Sequence, residues 1–105
     1  MQTTKIATRK IDKLGRVKIP IKFSKRMGLE KFQQVEVTIE YGLICIRKFD
    51  EINLKDRPYI GIVRCLDELE RFCIPNEYFE VLKIPKDIRV QFVLDGDKVI
   101  IMGVE

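Results

Sequence analysis

Residues 11–20 read IDKLGRVKIP and residues 66–75 read LDELERFCIP. They align without a gap at an offset of 55. Asp12 falls on Asp67, Leu14 on Leu69, Arg16 on Arg71, and Ile19-Pro20 on Ile74-Pro75. The register extends outward to Arg9/Arg64, Lys31/Lys86, Val35/Val90 and Ile46/Ile101. Chance can repeat an Ile-Pro pair, but not readily D-x-L-x-R-x-x-I-P at one offset. We read the chain as an internal duplication, and every other expectation follows from that.

Each copy shows the same order of patterns. KIATRKI (5–11) and IGIVRCL (60–66) read as strands. Asp12 to Gly15 reads as a turn, with Gly15 suited to positive φ. Val17–Ile19 and Phe72–Ile74 are short β-branched or aromatic strands. Pro20 and Pro75 fit the first position of a short helix, where a missing N–H costs nothing. The first helix is expected to run to Met27 and stop at Gly28, and the second to end near Leu82 before Pro85. VEVTIEYGLICIRKF and IRVQFVLDGDKVIIMGV then alternate as strands around Tyr41-Gly42 and Asp95-Gly96-Asp97. The expected organisation is a β-β-α-β-β unit over 1–50, a charged linker over 51–59 and a second such unit over 60–105. A unit of roughly 45 residues buries little core alone, so two units must share one. With Gly15 replaced by Glu70, the second hairpin turn is expected to differ from the first or to be strained.

Charge separates the copies. Residues 1–50 carry 12 Lys/Arg against 5 Asp/Glu, net +7, and residues 51–105 carry 8 against 11, net −3. The first half suits a polyanion and the second does not. There is no His, and Ser24 is the only serine, which excludes Ser-His and Cys-His catalysis and histidine-ligated metal sites. We expect no enzyme activity, no cofactor and no metal. Cys45, Cys65 and Cys73 are odd in number, lack C-x-x-C spacing and sit in apolar runs. Buried free thiols are therefore expected at all three. No apolar run spans a membrane and the first residues show no secretory pattern, so a cytoplasmic protein is expected.

RKIDKLGRVKIPIKFSKRMGL (9–29), followed by two strands over 35–48, resembles the AbrB/SpoVT family of bacterial DNA-binding transition-state regulators. The second copy keeps Asp67, Leu69, Arg71, Ile74 and Pro75 but has Glu70 and Lys83 where the first has Gly15 and Gly28. The resemblance implies a mainly β fold, a swapped-hairpin β-barrel built from two β-β-α-β-β units with one short helix each. It implies double-stranded DNA as partner and transcription regulation as function. In relatives, arginines in the first strand, after the turn and in the helix contact DNA. Arg9 and Arg16 carry over directly. The helix pair lands on Ser24 and Lys25, with Arg26 next in line. Their second-unit equivalents are Arg64, Arg71, Phe79 and Glu80. Some antitoxins share the fold, but the sequence stops at Glu105 and no toxin-binding tail is expected.

On chemistry, Arg9 and Arg16 are candidates for orientation or base contact, since a guanidinium matches guanine O6 and N7. Lys10, Lys13, Lys18, Lys22, Lys25 and Arg26 are candidates for phosphate. Asp-x-x-x-Arg also brackets a tight turn, so a structural salt bridge competes for Arg16 and is preferred for Arg71. Asp12, Gly15, Asp67 and Arg71 are thus the expected turn residues. Tyr78 and Phe79 suit either the core or a protein contact. The competing function is a protein-interaction module or anti-repressor that pairs with related subunits. We favour pairing of the two units within one chain over a homodimer or larger assembly, because their net charges have opposite sign.

Overall fold

The structure is a computed structural model, and it describes residues 6–49 and 61–103. The expected linker, 51–59, lies outside the described residues. The fold is mainly β, with 47% strand and 16% helix among the described residues. The first copy comprises β1 (Ile6–Lys10), β2 (Arg16–Lys18), α1 (Ile21–Met27), β3 (Gln34–Glu40) and β4 (Leu43–Lys48). The second comprises β5 (Ile62–Cys65), β6 (Arg71–Cys73), α2 (Asn76–Leu82), β7 (Arg89–Asp95) and β8 (Lys98–Gly103). No helix among the described residues is long and apolar enough to cross a membrane.

Both helices begin one residue later than the sequence suggests. Pro20 and Pro75 have ψ of 139° and 136°, an extended backbone, so each is the cap rather than the first helical residue. Each proline still organises the first turn, because its carbonyl accepts from Phe23 and Ser24 N–H in α1 and from Tyr78 N–H in α2. Gly28 ends α1 in the left-handed region, at φ 71°. Lys83 ends α2 the same way, at φ 55°, although it carries a β-carbon. The second helix therefore stops before Pro85 acts on it.

The strands form one six-stranded antiparallel sheet, ordered β1-β7-β8-β4-β3-β5, and a two-stranded ribbon, β2-β6. The six-stranded sheet does not close on itself; β1 and β5 are its edges. Four of these pairings join one copy to the other. Ile6 pairs with Val93 on β1 and β7, Val35 with Arg64 on β3 and β5, and Ile44 with Ile101 on β4 and β8. Val17 pairs with Phe72 on β2 and β6. The core is correspondingly shared, with Ile11, Val17, Phe23, Val35 and Ile46 from the first copy and Leu66, Phe72, Val90, Phe92 and Val99 from the second. Phe23 and Phe92 meet at its centre, with ring centroids 6.4 Å apart. Each fully buried side chain of this size contributes about 1.5–3 kcal/mol, and neither copy supplies enough of them alone.

Tyr78 and Phe79 are both absorbed by this packing. Phe79 is 7% exposed, and the Tyr78 hydroxyl donates to the Val37 carbonyl at 2.9 Å. Gly61 enters β5 against the same carbonyl. A β-carbon on Gly61 would lie 2.2 Å from Val37 O, and its N–H donates to Glu36 Oε2 at 2.7 Å. Only glycine fits there.

Behind β3 and β4 lies a buried polar cluster. Arg47 grips Glu40 with both terminal nitrogens, Nη1 on Oε2 at 2.5 Å and Nη2 on Oε1 at 2.9 Å. Thr38 Oγ1 donates to the same carboxylate, and Lys98 Nζ stands 3.9 Å away. The Arg47 hydrogen bonds outweigh burial and hold the Glu40 carboxyl down to about 2. Cys45 sits beside it, and burial, together with the Glu40 charge, pushes its thiol up.

Candidate nucleic-acid interface

The Asp-x-x-x-Arg turns build the site. In the first, Asp12 Oδ1 accepts from Leu14 N–H at 2.9 Å and Arg16 N–H at 2.8 Å, and Oδ2 accepts from Arg16 Nε at 2.7 Å. In the second, Asp67 accepts from Leu69 N–H at 2.9 Å, Arg71 N–H at 2.8 Å and Arg71 Nε at 2.8 Å. Partial burial raises both carboxyl pKa values, but these hydrogen bonds outweigh it and hold Asp12 and Asp67 below their ordinary range. The two turns also share their backbone bonds, Asp12 N–H to Arg16 O and Asp67 N–H to Arg71 O, each at 2.9 Å. The second turn is thus a copy of the first and not a different one. The strain expected there is present: Glu70 has φ 60°, where Gly15 has φ 83°.

Each turn docks on the other copy. Ile74 N–H donates to Gly15 O at 3.0 Å, and Ile19 N–H donates to Glu70 O at 3.2 Å. These bonds hold β2 against β6 in the register Arg16–Cys73, Val17–Phe72, Lys18–Arg71. Val17 and Phe72 are 1% and 2% exposed and face the core. Alternation then turns Arg16, Lys18, Arg71 and Cys73 to the outer face of one ribbon. Lys18 stands directly across from Arg71. Like charges placed opposite on a ribbon repel, and an anion over the face relieves this.

Arg16 and Arg71 therefore have the structural role and an outward position together. Nε of each is committed to the turn, and among the described residues Asp12 and Asp67 are the only carboxylates paired with these two guanidinium groups. Arg71, for which the sequence favours the structural role, stands in the cationic row of the first copy. The charge sum over residues 51–105 does not reveal this, and Asp67, which is ion-paired to Arg71, is itself part of that sum.

The remaining candidates are spread more widely. Lys10 is exposed on β1, but its ammonium is 3.0 Å from Asp87 Oδ1 of the second copy, so an acid already partners it. Arg9 alternates to the opposite side of β1 from Lys10, and its Nη1 donates to Thr8 O at 2.9 Å. Ser24 is 2% exposed, with its hydroxyl on Ile21 O at 3.0 Å. It is a packing residue of α1. Lys22, Lys25 and Arg26 are exposed on the same helix, and the Lys22 ammonium lies 5.8 Å from the Phe23 ring centroid. Lys13 is exposed at the tip of the first turn.

The cysteines correct one expectation. Cys45 is buried, but Cys65 and Cys73 are exposed. Both stand at outward positions of short strands, where alternation and not the surrounding apolar run decides burial. At the offset of 55 they replace Lys10 and Lys18, a sequence signal that could have placed them on the outer face.

No family model matches the chain. No curated protein matches it either. A solved structure, the solution structure of PHS018 from Pyrococcus horikoshii, covers 99% of this chain and 92% of its own, at 18% identity and a TM-score of 0.48.

Proposed function

We propose that this protein is a double-stranded-DNA-binding transcriptional regulator of the AbrB type. In this reading its two β-β-α-β-β units form a swapped-hairpin pseudo-dimer within one chain. The observation that carries the reading is the outward row Arg16, Lys18 and Arg71 on the β2–β6 ribbon, with Lys18 and Arg71 directly opposed. Cationic side chains in one row, two of them braced by Asp12 and Asp67 at 2.7 and 2.8 Å, suit a phosphate backbone. Lys22, Lys25 and Arg26, exposed on α1, are further cations of the first copy available to phosphate. The Arg16 and Arg71 guanidinium groups, oriented through Nε by Asp12 and Asp67, suit contact with phosphate or guanine through Nη1 and Nη2.

The test is fluorescence anisotropy with a mixed-sequence duplex, titrated across salt. Each phosphate contact contributes a slope of about −0.9 in log K against log salt. The Lys18→Ala/Lys25→Ala double variant should lose roughly two such contacts and bind more weakly at every salt concentration. Glu80→Ala should bind as well as the unchanged chain, or slightly better. No salt-dependent binding by the unchanged chain would overturn the reading in favour of the protein-interaction module.

A further inference from the structure

Cys65 and Cys73 stand two residues outside the Asp67–Arg71 turn, one on each side of it. The backbone bond from Asp67 N–H to Arg71 O, at 2.9 Å, closes the turn and sets residues 67 and 71 opposite each other. One step outward lie Leu66 and Phe72, 1% and 2% exposed, both facing the core. A further step outward lie Cys65 and Cys73, both exposed. Each thiol thus stands one residue beyond a core residue, on the exposed side of its own strand. Arg64 Nε reaches Cys73 O at 3.3 Å, and Cα atoms of β5 and β6 approach within 8 Å. A disulfide needs Cα atoms about 4.4–6.8 Å apart.

The strands are also adjustable there. β5 ladders onto β3 and β6 onto β2, so no ladder between β5 and β6 fixes the separation of the two cysteines. In the first hairpin the equivalent positions hold Lys10 and Lys18, which repel and have no such chemistry.

We propose that Cys65 and Cys73 form a reversible disulfide, making the outer face of the second hairpin a thiol–disulfide exchange site for low-molecular-weight disulfides such as glutathione disulfide. One thiol loses its proton to solvent, and its sulfur attacks the glutathione disulfide. A mixed disulfide forms and one glutathione thiolate leaves. The second protein thiolate attacks the mixed disulfide at the protein sulfur, forming the Cys65–Cys73 bond and releasing the second glutathione thiolate. The protein gives up two electrons and two protons, and one glutathione disulfide becomes two glutathiones. Cys45 takes no part, because it is buried within β4.

The experiment uses the full reduced chain with glutathione disulfide as the probe, quenched by acid and alkylated after unfolding. Cleavage after Arg64 and Arg71 leaves Cys65 and Cys73 on separate peptides, so a linked pair is unambiguous in the mass spectrum. The expected product has lost two hydrogens, carries one alkyl group at Cys45, contains the Cys65–Cys73 linked peptides, and returns to three alkylatable thiols with dithiothreitol. Cys73→Ser should instead stop at a glutathione adduct on Cys65. Glutathione retained on both cysteines of the unchanged chain, or no oxidation of either, overturns the proposal, as does a link through Cys45. The readout is covalent and stands whether or not the chain binds DNA.

Discussion

The ring of Phe79 on α2 lies over Gly15 in the first hairpin turn. A β-carbon on Gly15 would come 3.2 Å from Phe79 Cε2. At the offset of 55 the corresponding residues are Ser24 on α1 and Glu70 in the second turn. A glycine turn is thus matched with a large helix residue, and a turn residue bearing a side chain with a small one. Size is redistributed between the copies so that both turns keep one geometry.

Gly15→Ala should therefore destabilise the fold on two counts, the left-handed backbone at φ 83° and the contact with Phe79. The backbone term alone is about 1–2 kcal/mol. Gly15→Val should cost more, because branching at the β-carbon fits this region worst. Glu70→Gly should relieve the strain at φ 60° and shift the urea midpoint upward. Chemical unfolding in which Gly15→Ala matches the unchanged chain would contradict this account.

Gly61→Ala should disrupt the edge strand β5. Its β-carbon would sit 2.2 Å from the Val37 carbonyl oxygen, and backbone must move to admit it. Faster amide hydrogen exchange at Ile62–Cys65 and a lower melting temperature are the expected signs. Exchange identical to that of the unchanged chain would show that β5 does not depend on this approach.

Acid should unfold the chain partly through Glu40. Arg47 holds the folded carboxyl at about 2 against an ordinary 4.5. Because the folded value is depressed, the stabilisation is fully present above about pH 4.5 and is lost as pH falls through about 2. Its size is of order 3 kcal/mol from a shift of this magnitude. Asp12 and Asp67 act with the same sign, being lowered by Arg16 and Arg71. Unfolding free energies measured from pH 6 to pH 2 should decline less steeply for Glu40→Gln, which starts lower. Parallel curves for the two proteins would remove Glu40 from the explanation.

Asp67→Asn separates the two roles of Arg71. The change weakens the ion pair that organises the turn but leaves the guanidinium in place. Stability should fall while DNA affinity stays level or rises, whereas Arg71→Ala should weaken both. Equal affinity for Arg71→Ala and the unchanged chain would confine Arg71 to the turn.

The full chain should sediment as a folded monomer at micromolar concentration, since all the cross-copy pairings lie within one chain. An obligate dimer would refute internal pairing and favour exchange of the units between chains.

The sequence alone determined the duplication, the order of strands and helices, and both Asp-x-x-x-Arg turns. These are local matters, set by alternation, by turn chemistry and by residues such as Gly28 that permit a left-handed backbone. It also pointed to Arg16 through the repeated motif and to Lys18 as one of a cluster of cations within seventeen residues. Only the tertiary structure decided that Arg71, from the acidic half, stands beside Lys18. That placement depends on β2 pairing with β6, residues more than fifty positions apart, and a charge sum along the chain carries no such information. The same cause explains the cysteines, which apolar neighbours suggested were buried and whose alternation on β5 and β6 turned two of them outward. It explains Gly61 as well: nothing near it in sequence calls for glycine, and the Val37 carbonyl that does arrives from another strand.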